Sequence, residues 1–434
     1  MKRTISVLLM VLLCAAVFAA GKQDEGAASK TQKTISMFVS YQGEKWDQML
    51  GAFEEETGYK VEQVYLESDE GSKRMDIALL SGDTTDVMEL SYPGLQYKYV
   101  KSGLIMPLND LIEKADYDAE GIYGKFIDYY EDETIYYLPE MLTMWAVFYN
   151  KKIFDDAGVP YPEAPWTWSD YIKTAKLLND PEKGIYGSYM LDYDVYSYLI
   201  SRQKGIPGYK IDGSSSFDHP VFAESMKFFG DLGNKHKIQP SWLEFHTKKL
   251  SWDGFMTGKY GMHFISSWYL GILTNKTDYP RDWDWGILEI PRPDGWNDTV
   301  NNFGVASAEA INVNSKNPEE AFELVQFLAE NYYKFFNTLP ARVDLSDAEI
   351  ESIFKKISDS TDGDVTIEDL NKTYFDNDLG FVNEKIVGPG AAQLEKIVNQ
   401  EAELYYIGQK SLEDAVMSIK RRHDEAIAND LAAE

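Results

Sequence analysis

Between residues 34 and 100 the hydrophobic pattern alternates between strand-like and helix-like periods. That alternation constrains the fold more than any other feature of the chain. Thr34 to Ser40 (TISMFVS) is short and β-prone. Glu44 to Thr57 places Trp46, Met49, Leu50 and Phe53 on one helical face, and Gly58 follows where a C-cap glycine belongs. Lys60 to Leu66 reads as a second strand, and Gly71 to Leu80 as a helix ended by Ser81-Gly82-Asp83. Asp86 to Leu90 is a third strand and Pro93 to Val100 a third helix. A β-α-β-α-β order predicts an α/β fold with a parallel, doubly wound sheet. Ligands bind beyond the carboxyl ends of such strands. Those ends are Ser40-Tyr41-Gln42, Glu67-Ser68-Asp69 and Ser91-Tyr92, all polar or aromatic.

The N-terminus reads as an address. Met1-Lys2-Arg3 is basic, Ile5 to Ala16 is apolar, and Val17-Phe18-Ala19 offers small residues around a cleavage site. Residues 1–19 are therefore expected to be a secretory signal peptide, and 20–32 a flexible polar leader. The expected location is periplasmic. Lipid anchoring at Cys14 is the less favoured reading, because Leu13 stands where a lipobox wants a small residue and an apolar run follows.

Composition narrows the function. The 434 residues predict two or three domains, or two large lobes, at roughly 100–200 residues each. Hydrophobic residues at 44% and charged ones at 26% exclude disordered and fibrous classes. A net charge of −29 repels phosphate backbones, so no nucleic-acid partner is expected. The single cysteine excludes an intramolecular disulfide and cysteine-rich metal sites, and the five histidines form no HExxH pattern. No metal and no cofactor are expected. There is no GxSxG, Walker A or GxGxxG, and 71 acidic residues make chance carboxylate pairs plentiful. Ser358 to Asp369 hints at a calcium loop around Gly363, but serines at its first and third ligand positions favour a solvated acidic loop.

Farther along, Ala146 to Tyr149 is β-prone, and Asn150-Lys151-Lys152 turns into a short helix ending at Gly158. Trp166-Thr167-Trp168-Ser169-Asp170 starts another helix, with the two tryptophans expected to pack it. Residues 186–198 are dense in tyrosine. Gly261 to Ile265 is a strand that delivers Ser266-Ser267-Trp268, and Trp283 to Ile290 is another. Asn317-Pro318-Glu319-Glu320 caps a helix, and residues 391–430 are helical and charged.

Several of these pieces together resemble the bacterial extracellular solute-binding proteins of carbohydrate ABC importers, the family of the maltodextrin-binding protein. They are GDTTDVMELSYP (82–93), the stretch Gly103 to Asp110, Leu138-Pro139, Phe148-Tyr149-Asn150-Lys151, AGVPYP (157–162), Trp166-Thr167-Trp168, GMHFISSW (261–268) and SKNPEEAFELVQFL (315–328). The order and spacing of the pieces carry the resemblance, over about residues 33–330. It implies a two-lobed type II periplasmic-binding-protein fold with a hinge and an interlobe cleft. Three crossings are expected near Leu138–Met144, Val300–Gly304 and Leu339–Val343. Lobe one would be 33–140 plus 304–340, and lobe two 141–303 plus 341–434. The implied function is non-enzymatic: a monomer captures a sugar or oligosaccharide and delivers it to ABC transporter permease subunits at the inner membrane.

A neutral sugar needs hydrogen-bond partners for its hydroxyls and flat apolar surface for its C–H faces. Strand ends and family positions nominate Tyr41, Gln42, Glu67, Asp86 and Tyr92 from lobe one. Thr143 and Trp145 flank the first crossing, Tyr189 and Asp192 lie in the tyrosine-dense segment, and Asn301 and Asn302 sit at the second crossing. Trp268 falls where the family places a stacking tryptophan. Asp86 reads equally well as a turn stabiliser, and Trp145 as core. The maltodextrin branch carries a carboxylate where this chain has Thr143, so that specificity does not carry over. Two rival functions remain from sequence: capture of a cationic solute such as a polyamine, and a secreted glycoside hydrolase.

Overall fold

The computed structural model describes residues 33–39, 42–66, 71–130, 133–190, 192–361 and 363–433. The expected signal peptide, leader and Cys14 lie outside them, as do the candidates Tyr41 and Glu67. Among the described residues no helix is long and apolar enough to cross a membrane.

Two sheets organise the molecule. The larger contains β1 (Thr34–Val39), β2 (Lys60–Tyr65), β3 (Val87–Leu90), β4 (Tyr137–Leu142), β10 (Ala306–Ile311) and β11 (Leu339–Pro340), in the order β11-β4-β10-β3-β1-β2. β1 runs parallel to β2 and β3, while β10 runs antiparallel to β3 and β4. The smaller contains β5 (Trp145–Asn150), β6 (Tyr186–Tyr189), β7 (Tyr260–Ser266) and β8 (Trp285–Leu288), in the order β6-β7-β5-β8. β9 (Asn301–Gly304) and β12 (Gly380–Asn383) pair in parallel on their own. An inserted antiparallel strand between the β1–β3 unit and β4 is the two-lobed type II periplasmic-binding-protein arrangement.

The chain leaves the larger sheet after Leu142 and enters the smaller one at Trp145. It returns through β9 to Ala306, then passes β11 before the helix Asp347–Asp359, whose Phe354 and Ile357 join the core around the smaller sheet.

The early elements follow from local chemistry. Trp46, Met49, Leu50 and Phe53 are buried along the helix Glu44–Thr57, and Gly58 closes it at φ 76°, donating its N–H to the Glu54 carbonyl. Ile35, Met37 and Val39 face this helix and the helix Pro318–Phe336, while Phe38 faces the opposite core with Met88, Leu90 and Tyr99. Thr167 and Asp170 form a reciprocal capping box at the helix Trp168–Leu178. Trp166 and Trp168 are buried in the core.

Two elements differ from their sequence reading. β8 is confined to Trp285–Leu288, because beyond it the chain bonds elsewhere: Arg292 donates its backbone N–H to Trp166, and Trp168 donates to Arg292. Asn317 makes no side-chain cap; its Nδ2 donates to Asp86 at 3.3 Å, and Pro318 sits at the first helical turn instead.

Candidate functional site

β1, β2, β3 and β4 point their carboxyl ends toward the smaller sheet, where the chain crosses. A cavity of about 310 Å³ opens there. From the larger-sheet side Lys45, Trp46, Glu89, Met141, Tyr332, Phe336 and Thr338 line it. From the smaller-sheet side come Trp268, Gly271, Ile272, Asn275, Asp278 and Tyr279. A larger groove of about 610 Å³ runs past Tyr186 and Tyr260 at the amino ends of β6 and β7, and the elements of the first sheet take no part in it. Open α/β sheets hold ligands beyond carboxyl ends, so the cavity between the sheets is the candidate.

Its walls are aromatic on both sides. Tyr332 and Phe336, one helical turn apart, stack with centroids 4.3 Å apart, and Trp46 meets both edge-on at 6.0 and 5.4 Å. Opposite, Trp252 packs edge-on against Trp268 at 6.4 Å and Tyr279 at 5.8 Å. Polar groups lie between. Asn275 donates to the Asp278 carboxylate at 2.8 Å. Thr338 Oγ1 is buried without a hydrogen-bond partner among the described residues. Burial and the nearby Lys356 ammonium pull the Lys45 pKa down.

Among the candidates read from sequence and described here, Trp268 alone lines this cavity. It follows β7, whose last residue pairs with Trp145 of β5 where the chain enters the smaller sheet. Gln42 is exposed just before the first helix. Asp86 sits at the far, amino end of β3; its carboxylate accepts from Ser36 N at 2.9 Å and Ser315 Oγ at 2.6 Å.

Three more candidates hold the crossing together. Thr143 Oγ1 accepts from Val305 N at 3.0 Å and donates to the Val305 carbonyl at 3.2 Å. Asn302 Nδ2 donates to the Trp145 carbonyl at 2.9 Å while its Oδ1 accepts from Trp145 N at 3.2 Å. Trp145 packs among Tyr196, Phe264 and Phe303, and its Nε1 donates to Glu384 at 2.6 Å. Asn301 donates to the Gln203 carbonyl at 3.2 Å. Tyr189 is buried and donates to the Ser251 carbonyl at 2.6 Å. Asp192 is part-exposed, 3.7 Å from His246 Nε2.

Tyr92, which precedes the helix Pro93–Lys101, belongs to a different cluster. Burial raises its pKa first, and then the carboxylates of Glu395, Asp76 and Asp194 do, with Lys385 opposing. Lys385 contacts Asp194 and lies 3.8 Å from Glu395. Burial alone pulls Lys385 down, but Asp194, Glu395 and Glu384 outweigh it and hold the ammonium above its ordinary range. This ionic cluster therefore spans from the larger-sheet half to the smaller-sheet half.

Sequence reading missed Lys45, Glu89, Tyr279, Tyr332, Phe336, Thr338, Asn275 and Asp278 as cavity residues, and placed Trp46 only as core. Tyr332 and Phe336 carried a usable signal, since they share a face at the end of a helix whose other residues pack the core.

A two-lobed α/β molecule with three strand crossings and an aromatic cavity between its sheets is a solute-binding protein of the periplasmic-binding class. The chain belongs to the family of bacterial extracellular solute-binding proteins, whose model matches residues 40–334. Members of that family are the solute-binding components of ABC transporters. A putative binding protein of Brucella abortus (strain 2308) is 24% identical over 319 residues, covering 71% of this chain and 74% of that one. An ABC substrate-binding protein from Listeria monocytogenes in complex with cycloalternan superposes with a TM-score of 0.78 at 22% identity, over 92% of this chain and 99% of that one. A solute-binding protein of Thermotoga lettingae bound with alpha-D-tagatose gives 0.74 at 17%, over 91% and 100%.

Proposed function

We propose that this protein is the extracytoplasmic sugar-binding component of an ABC importer, acting as a carrier without catalysis of its own. In this reading the lobes, 33–140 with 304–340 and 141–303 with 341–434, close over a sugar or oligosaccharide. They then present it to permease subunits, which use ATP hydrolysis elsewhere for transport. Closure is a population shift driven by contacts available only in the closed state. The observation that carries the reading is the cavity's pairing of aromatic faces from both halves with hydrogen-bonding groups between them. Rings supply flat surface for C–H faces, and Asn275, Asp278, Glu89 and Thr338 supply partners for hydroxyls. The sugars bound by the Listeria and Thermotoga relatives support the same ligand class.

The test is intrinsic tryptophan fluorescence titrated with mono- and oligosaccharides, polyamines and amino acids. A saturable shift with a sugar and no turnover is expected; sugar hydrolysis lost on mutating one carboxylate pair would move the protein to the hydrolases. Trp268→Ala should weaken sugar binding by more than about 1 kcal/mol, the usual worth of an aromatic contact, and unchanged affinity would remove Trp268 from the site.

A second reading rests on Glu89 and Asp278 lying among the rings, a setting that also suits an organic cation. Salt separates the two. Affinity for a neutral sugar should hardly change between low and high salt, whereas a polyamine should lose affinity steeply.

A further inference from the structure

Three glutamates meet beneath the cavity floor. Glu89 on β3, Glu309 on β10 and Glu140 on β4 come from adjacent strands of the larger sheet, and Glu309 pairs directly with Glu89. They share the face that carries Val87, Ile311 and Leu138, which is covered by the helices Glu44–Thr57 and Pro318–Phe336. A register shift between Ser307 and Ala308 leaves Glu140 as the extra residue of β4, a bulge that aims its side chain.

Glu140 and Glu309 are both 0% exposed. Glu140 Oε1 accepts from Ser307 Oγ at 2.9 Å, but among the described residues Glu140 Oε2 and both Glu309 oxygens meet no ordinary donor. The two carboxyl groups contact each other, a contact that is stable only when one of them carries a proton. Burial first and then the Glu89 carboxylate raise the pKa of Glu140, against the bonds it makes with Glu309 and Ser307, while burial and then the Glu140 and Glu89 carboxylates raise that of Glu309. Glu89 reaches the cavity itself, beside Tyr332, whose hydroxyl is held neutral by burial and the three carboxylates. Among the described residues, the other charged groups lining the cavity are Lys45, weakened as a cation by burial and Lys356, and Asp278 on the far wall. Thr338, only 5% exposed at the same cavity, buries its Oγ1 with no hydrogen-bond partner among the described residues, an independent polar atom there.

We propose that solute capture is proton-linked: Glu140 and Glu309 share one proton behind the cleft floor, and a neutral sugar that closes the cleft over Glu89 makes the cluster take up a further proton from solvent. The inference rests on the sugar-carrier reading for its ligand. Closure strips water from Glu89 while two more carboxyl groups stand behind it, and burial disfavours the charged form. The cluster relieves this by binding a proton, so affinity rises as pH falls, by at most about tenfold per pH unit for one proton. A cationic solute would do the reverse and expel a proton.

Two measurements test it. Infrared difference spectra of the ligand-free protein between pH 6 and 9 should show the C=O stretch of a protonated carboxyl lost on the alkaline side, and Glu309→Gln should remove it. Glu140→Gln serves the same purpose if the first variant folds poorly. Calorimetry with alpha-D-tagatose, maltose and cycloalternan in phosphate and in Tris should then give heats that differ between buffers in the sense of proton uptake. Glu309→Gln should erase the difference. Equal heats in both buffers for a sugar that binds, or no titrating carboxyl band, would overturn the proposal. Absence of heat with every sugar while the band persists would instead strike the sugar reading, and with it the uptake step, leaving the shared proton established.

Discussion

Lys385→Met is expected to destabilise the folded protein by about 3–5 kcal/mol at neutral pH, the usual cost of removing one partner from a buried ion pair. The Lys385 side chain is 17% exposed and Asp194 only 4%. Tyr198 donates to the second Asp194 oxygen at 2.6 Å, so this carboxylate is fixed and cannot swing toward water. Glu395 lies on the other side, and burial already raises the pKa values of Glu395 and Glu384. Methionine fills the space but leaves the carboxylates facing one another with no cation. The folded-state pKa values of Glu384 and Glu395 then rise further above the ordinary Glu value of 4.5. Groups raised in this way contribute stability that is complete below the unfolded pKa and lost as pH climbs through the folded one. The deficit of the variant should therefore be largest at neutral pH and shrink toward pH 5. Urea denaturation at both pH values reads it, and a deficit below about 1 kcal/mol at pH 7 would show that water reaches the cluster freely. Lys183→Met, which breaks an exposed pair with Asp180, is the control and should change stability immeasurably.

The contrast between that cluster and the first helices shows what a sequence can and cannot disclose. The helix Glu44–Thr57 was legible because its apolar residues recur at helical spacing and a glycine ends it, both local properties. Trp268 was legible because a residue after a strand must stand at that strand's end, and strand ends are where such sheets hold ligands. Thr143, Trp145 and Asn302 could be placed at a crossing, but not their bonding. Whether an amide faces a ligand or clasps the backbone of a strand more than a hundred positions away depends on pairing that no local pattern encodes. The three glutamates were invisible for the same reason. Each sits singly in a short apolar strand, and only the order β4-β10-β3 makes them neighbours. Tyr332 and Trp46 form one wall because the helices that bear them pack side by side, again a tertiary fact.

The crossing supplies the second large effect. At Gly304 an added Cβ would stand 1.7 Å from the Thr143 carbonyl oxygen and 2.7 Å from its carbon, both backbone atoms that cannot rotate away. Gly304→Ala must therefore push β9 from the segment joining β4 to β5. That segment is bound there by Thr143 N donating to the Val305 carbonyl at 2.8 Å and by both bonds of Thr143 Oγ1. Overpacking of this kind costs about 1–3 kcal/mol, and buried polar groups parted from their partners cost about 1–3 kcal/mol more. A loss of roughly 3 kcal/mol or greater is expected in urea denaturation, from those two costs together. Gly51→Ala is the matching control: nothing lies within 4 Å of its Cβ, and alanine in a helix should be neutral or stabilising by up to about 1 kcal/mol. Function should suffer beyond stability. Val305 leads directly into β10, which carries Glu309, and Thr143 leads into Trp145, which is bonded to Glu384 beside Lys385. A displaced crossing changes how the two sheets face each other, so the fluorescence change that the proposed sugar binding predicts should weaken even where the variant is fully folded. A variant within about 1 kcal/mol of the wild type would mean that the crossing yields to a methyl group, and that the bonds holding Thr143 to Val305 do not fix the geometry between the lobes.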